Sequence, residues 1–161
     1  DGLEKKVVVP TLFGYAKKVS RNLSGNKMNE EKFITRCSEA GHPNSVKILL
    51  KSKELINDSS LRGDFINWGV SGYSYRMPWK EYPAGETVFV GYDGTLQFWR
   101  DHTVRTKEAG ETFIQKLANM PIFSREFARQ KAPTIPTDKM SDSDITQFIE
   151  LVRDLGTNLG K

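Results

Sequence analysis

The sequence predicts an α+β fold, a small antiparallel sheet flanked by N-terminal and C-terminal helices. Three observations lead there. Apolar residues recur at spacings of three and four through residues 10–57 and again through 108–156, the period of a helix face. Between those stretches, residues 64–101 hold ten of the seventeen aromatic residues, punctuated by Gly69, Gly72, Pro78, Pro83 and Gly85. Within that middle region, TVFVGYDGTLQFWRD joins two apolar runs through Asp93-Gly94, the pattern of a β-hairpin. A length of 161 residues suits a single domain, read here as spanning 1–161.

The first helix is expected over 11–23. Pro10 suits a first helical turn, and Leu12, Ala16, Val19 and Leu23 share one face. Ser24-Gly25-Asn26 breaks that pattern. Asn29 then offers an N-cap, with Glu30 and Glu31 well placed against the helix dipole. Phe33, Ile34, Cys37 and Ala40 form the apolar stripe of a helix over 29–40, and Gly41 is a fitting stop. After Pro43 and Ser45, the residues Val46, Leu49, Leu50 and Ile56 lie on a further helical face. A strand over VKILLKS is the alternative there. Two helices joined by AGHPNS invite a helix-turn-helix reading, with Lys47, Lys51 and Lys53 turned to a phosphate backbone. The turn is one residue short for that motif, and a plain helical hairpin with a solvated lysine face is preferred.

Strands are expected near 65–70, 72–77, 86–92 and 95–100. A two-residue Asp93-Gly94 turn needs φ > 0 at both positions. It sets Tyr92 opposite Thr95, Val90 opposite Gln97 and Val88 opposite Trp99 on one face. Gly91 with Leu96, Phe89 with Phe98, and Thr87 with Arg100 fall on the other. The Phe89/Phe98 face is the more apolar and is expected to meet the helices. Tyr92, Gln97 and Trp99 mark the other as the working face.

The last third returns to helices. Phe113, Ile114, Leu117 and Ala118 define one over 108–119, and Phe123, Phe127 and Ala128 a shorter one after Pro121. KAPTIPTDKMS reads as a loop because Pro133 and Pro136 remove backbone donors. Ser141 or Ser143 caps a final helix over 142–155, with Ile145, Phe148, Ile149, Val152 and Leu155 inward and an end at Gly156.

Composition narrows the function classes. No unbroken apolar run is longer than three residues, as in Val7-Val8-Val9, so no stretch spans a membrane as a helix. The chain begins at Asp1, which suggests a processed chain or a piece of a longer one and leaves targeting unread. Cys37 is the single cysteine, which excludes an internal disulfide and a cysteine-based zinc site. That favours an intracellular, reducing setting. It is read as a small buried hydrophobe. Asn22-Leu23-Ser24 and Asn57-Asp58-Ser59 are glycosylation triplets of a kind that arises by chance. The net charge of +4 is uneven. Residues 1–62 carry 12 Lys/Arg against 7 Asp/Glu, residues 63–107 carry 5 against 5, and residues 108–161 carry 7 against 8. An anionic partner fits this bias without being required by it.

Catalysis has little support. His42 lies in a turn and His102 follows the hairpin, and two histidines cannot build a three-histidine metal site. No serine elbow or phosphate-cradling glycine loop is present. No cofactor is expected. Asp64, Lys80, Glu81, Glu86 and Asp93 are the ingredients of a metal-dependent nuclease, the leading enzymatic alternative, but they lack the strand spacing that aims such groups together.

The preferred expectation is a non-catalytic binding domain for single-stranded RNA or DNA. Tyr92 and Trp99 would stack bases, and Arg76, Lys80 and Arg100 would hold phosphates, with Lys47, Lys51 and Lys53 as secondary basic contacts. An aromatic cage for a cationic group is a further reading. The alternative is a protein-interaction or structural subunit of a larger assembly, in which the rings fill a core or dock a partner.

Overall fold

The computed structural model of the chain describes residues 26–58, 65–76, 86–98, 108–124 and 133–158. The elements run α1 (Glu30–Ala40), α2 (Pro43–Asp58), β1 (Ile66–Trp68), β2 (Gly72–Arg76), β3 (Glu86–Gly91), β4 (Thr95–Phe98), α3 (Glu108–Asn119), β5 (Thr134–Pro136), a 3-10 turn (Thr137–Lys139) and α4 (Asp142–Asn158). The fold is α+β, as the sequence predicts, with helices on both sides of the sheet in chain order. The expected helix over 11–23 lies outside the described residues, as do Phe127 and Ala128.

Local chemistry starts and stops the helices. The Asn29 carboxamide accepts from the Lys32 backbone N–H at 2.8 Å and caps α1. At its other end Gly41 adopts φ 79°, and its neighbour His42 N–H donates to the Cys37 carbonyl at 2.9 Å. Pro43 opens α2 where its missing N–H costs nothing. VKILLKS is therefore helical. Ser141 caps α4: the Asp144 N–H donates to its Oγ at 3.1 Å, and its own N–H donates back to the Asp144 carboxylate at 2.8 Å. This helix does not end at Gly156, which is buried inside it, but continues to Asn158. Packing overrides the cost of a helical glycine there.

The five strands among the described residues form one antiparallel sheet in the order β1-β2-β3-β4-β5. The register puts Trp68, Tyr73, Val90, Leu96 and Ile135 in one row across it, and Asn67, Ser74, Phe89, Gln97 and Thr134 in the next. Side chains alternate between faces, so the first row and its companions Ile66, Tyr75, Val88 and Phe98 face the helices. Tyr73, Tyr75, Val88, Val90, Leu96 and Phe98 are all buried. Phe33 of α1 meets Tyr73 with ring centroids 5.3 Å apart, Phe148 of α4 meets Tyr75 at 6.4 Å, and Phe98 meets Phe123 at 5.4 Å. The described rings are chiefly core.

Two further expectations are corrected. The hairpin register is shifted by one residue: Val88 pairs with Phe98, Phe89 with Gln97 and Val90 with Leu96. Gly94 adopts φ 80°, while Asp93 does not take positive φ. The turn is thus the three-residue loop Tyr92-Asp93-Gly94, in which only the last residue is left-handed. A one-residue slip turns every side chain to the other face. Phe89 and Phe98 therefore lie on opposite faces, and Val88 and Val90 belong to the core. The second correction is KAPTIPTDKMS, within which Thr134–Pro136 forms the edge strand β5. The Phe98 N–H donates to the Pro133 carbonyl and the Thr137 N–H to the Gly94 carbonyl. Pro136 therefore occupies a position whose nitrogen points away from β4, where no donor is needed, and Ile135 points into the core.

Candidate functional site

A groove of about 720 Å³ runs along α1 and the β1–β2 turn. Asn26, Met28, Glu31, Lys32, Arg36 and Val70 are among its walls, with Thr35 and Glu39 further along the helix. Phe33 and Cys37 anchor the opposite side of α1 in the core. Their burial leaves 32, 35, 36 and 39, spaced by three, one and three, on the outward face. The Met28 N–H donates to the Gly69 carbonyl at 2.7 Å and fastens the segment before α1 to the end of β1. At one wall the Arg36 guanidinium carbon lies 5.2 Å from the centroid of the Tyr92 ring, a cation–π contact. Val70 is 46% exposed beside it.

The residues expected to bind are distributed differently. Tyr92 sits at the hairpin end, half-buried and covered by Arg36. Arg76 sits at the far end of the same ladder, opposite Glu86, with a guanidinium nitrogen 3.5 Å from the Asn67 carboxamide oxygen. Five strand steps separate Gly91 from Glu86, about 17 Å, so Tyr92 and Arg76 do not share a patch. Glu86 and Asp93 are parted by the same span, and these two members of the nuclease set do not converge. Lys80, Trp99 and Arg100 lie outside the described residues, as do Asp64, Glu81 and His102. The three α2 lysines are engaged within the chain. Lys47 reaches the Asp142 carboxylate at 2.8 Å, Lys51 the Thr146 hydroxyl at 3.2 Å, and Lys53 pairs with Glu30. The Asp142 carboxyl is held below its ordinary value by the hydrogen bond and charge of Lys47.

Two further clusters lie off the groove. His42 Nδ1 is 2.7 Å from the Asp138 carboxylate, and its ring lies against Gly94 so closely that a Cβ there would come within 2.5 Å. Behind this pair, Ser45 Oγ donates to the Gly91 carbonyl and meets Thr137 Oγ1 at 3.1 Å, and the Asn44 amide reaches the Thr137 and Met140 carbonyls. The cluster ties the start of α2, the hairpin turn and the 3-10 turn together. The Ser45 hydroxyl is bonded to the Gly91 carbonyl and Thr137, not to the His42 ring, so no nucleophile–base relay is built here. The second cluster is interior. Ser52 Oγ meets Tyr75 Oη at 2.6 Å, while the neighbouring Tyr73 hydroxyl is buried without a well-formed hydrogen bond. Burial pushes the Tyr75 phenol up to about 12 and Tyr73 well above its usual range. Burial, with the nearby Asp93 charge, pushes the Cys37 thiol up to about 11, which suits an inert core residue.

Among the described residues no cluster of His, Cys, Asp and Glu could hold a metal ion, and no helix is long and apolar enough to cross a membrane. The groove residues Lys32, Thr35 and Arg36 were not singled out from sequence. The signal available was the polar stripe at helical spacing on the far side of Phe33 and Cys37. Comparison of the chain with protein-family models, with curated proteins and with solved structures finds no match.

Proposed function

We propose that the chain is a non-catalytic interaction domain that docks a protein segment in the groove along α1. The groove's mixed walls carry this reading. Glu31 and Glu39 stand among Lys32 and Arg36, with apolar Met28 and Val70 beside them. A polyanion laid there meets two carboxylates as well as two cations. A peptide can answer both signs and cover Val70, which is 46% exposed. The internal ion pairs of Lys47 and Lys53 also reduce what α2 can offer to phosphates.

Single-stranded nucleic acid is the second reading, favoured by the Arg36–Tyr92 stack, which sets a cation and a ring side by side at the groove wall. One experiment separates the two. A displayed random-peptide library is panned against the parent and against a variant carrying Arg36→Glu and Val70→Asp, and labelled oligonucleotides are titrated by anisotropy at low salt. Peptides enriched on the parent and lost on the variant support protein docking. No groove-dependent enrichment, together with oligonucleotide binding that weakens with salt and in Arg36→Glu, overturns it in favour of nucleic acid.

A further inference from the structure

The outward face of α1 carries its charges in two rows. Lys32 and Arg36, one turn apart, make one row. Glu31, Thr35 and Glu39, spaced by four, make the row beside it. Arg36 lies over the Tyr92 ring at 5.2 Å, so the cationic row runs on the hairpin side of the helix and the acidic row away from it. Among the described residues none of these four charges has an ion-pair partner. Lys47 and Lys53 of α2 are by contrast paired within the chain. A face whose charges are sorted by sign and left without internal partners is complementary to a ligand sorted the opposite way.

We infer that the segment docked in the groove is an extended peptide with the order basic–acidic–polar–acidic–basic. The inference rests on the peptide-docking reading above and names the chemistry of the partner. The spacings carry it. Along the helix axis Lys32 and Arg36 are about 6 Å apart, and Glu31 and Glu39 about 12 Å. An extended chain advances about 3.3 Å per residue and sends alternate side chains to opposite sides. Its second and fourth residues, about 6.6 Å apart on one side, match the cationic row. Its first and fifth, about 13 Å apart on the other side, match Glu31 and Glu39, and the third falls at Thr35. A helical partner lays a single stripe along its contact and serves one row only. Arg36 is the fixed point of the match, because the Tyr92 ring restricts where its guanidinium can go. The ion pairs are exposed, so binding is expected to be weak and to weaken further with salt.

The test uses two end-capped peptides of one composition, each net neutral: Lys-Glu-Ser-Glu-Lys and its charge-inverted isomer Glu-Lys-Ser-Lys-Glu. Each is titrated at low salt into the full chain, and backbone amide NMR shifts report both affinity and place. The first is expected to shift residues 31–39 and Val70 and to bind about five-fold tighter than the second, or more. A variant with all four charges reversed (Glu31→Lys, Lys32→Glu, Arg36→Glu and Glu39→Lys) keeps the net charge, and in it the preference is expected to invert. Loss of folding cannot produce that inversion. A peptide selected from the random library is titrated alongside. Equal affinity of the two isomers for the parent, or shifts confined to residues outside the groove, overturns the inference whatever the variant does. If the library peptide binds the groove while the isomers do not differ, the charge order fails and peptide docking stands. If none of the three peptides binds there, both fail.

Discussion

Phe89 and Phe98 offer the sharpest check on the register of the β3–β4 hairpin. Phe98 is 1% exposed and lies between Phe123, at 5.4 Å, and Phe148, at 6.0 Å. Truncation to Ala removes the centre of a three-ring cluster that tight packing on both sides prevents from collapsing. The expected loss is about 3–5 kcal/mol, a large part of the roughly 5–15 kcal/mol that holds a domain folded. Phe89 stands opposite Gln97 on the other face and is half-buried, so Phe89→Ala is expected to cost about 1–2 kcal/mol. The two rings are separated by the sheet itself and do not touch. Their effects should add to within about 0.5 kcal/mol. Under a two-residue turn they would form a direct cross-strand aromatic pair, with a coupling of about 0.5–1.5 kcal/mol. Urea unfolding of the parent, both single variants and the double variant, followed by tryptophan fluorescence at constant m-value, measures this coupling. A coupling above about 1 kcal/mol, or equal losses for the two single variants, would refute the three-residue turn and the face assignment built on it.

Three other outcomes are expected. Tyr75→Phe deletes the bond to Ser52 and is expected to cost about 1 kcal/mol, whereas Tyr73→Phe removes a poorly satisfied buried hydroxyl and is expected to be neutral or stabilising; thermal melts that rank the pair the other way contradict the interior hydrogen bonding described. Gly94→Ala forces a left-handed residue and drives a Cβ into the His42 ring, so a loss of about 2 kcal/mol or more and a changed His42 ring resonance are expected; an unperturbed melt would rule out the positive φ. Asp142 is held below its ordinary value by Lys47, so the pair favours the folded state above about pH 4, and that contribution fades as pH falls through the lowered folded-state value. NMR titration of the Asp142 carboxyl should show a low midpoint that returns to the usual range in Lys47→Met, and an identical midpoint in both proteins would remove the interaction.

Among the described residues, helix placement was legible because its signals are local. Asn29, Gly41 and Ser141 satisfy orphaned backbone groups within a turn of themselves, and the stripes through Phe33 and Phe148 follow from a period that any amphipathic helix shares. The buried state of Cys37 came from the same stripe. The aromatic-rich middle was legible as strands, but not its faces. Asp-Gly fits both a two-residue and a three-residue turn. The choice falls on the one that lets Val88, Val90, Leu96 and Phe98 meet the helices together, a contact between segments far apart in the chain. The final helix passes through Gly156, and β5 forms despite its prolines, for the same reason: burial of Leu155 and Ile135 outweighs a weak local preference. The candidate site lay furthest from reach. Charge counts identify basic residues but not their partners, and the pairing of Lys47 with Asp142, 95 positions away, or of Arg36 with the ring of Tyr92, exists only once α1, α2, α4 and the hairpin are packed. Periodicity and capping act within a few residues and are written in the chain. Register, face and the pairing of charges are settled by which distant surfaces exclude water together, and only the folded structure decides that.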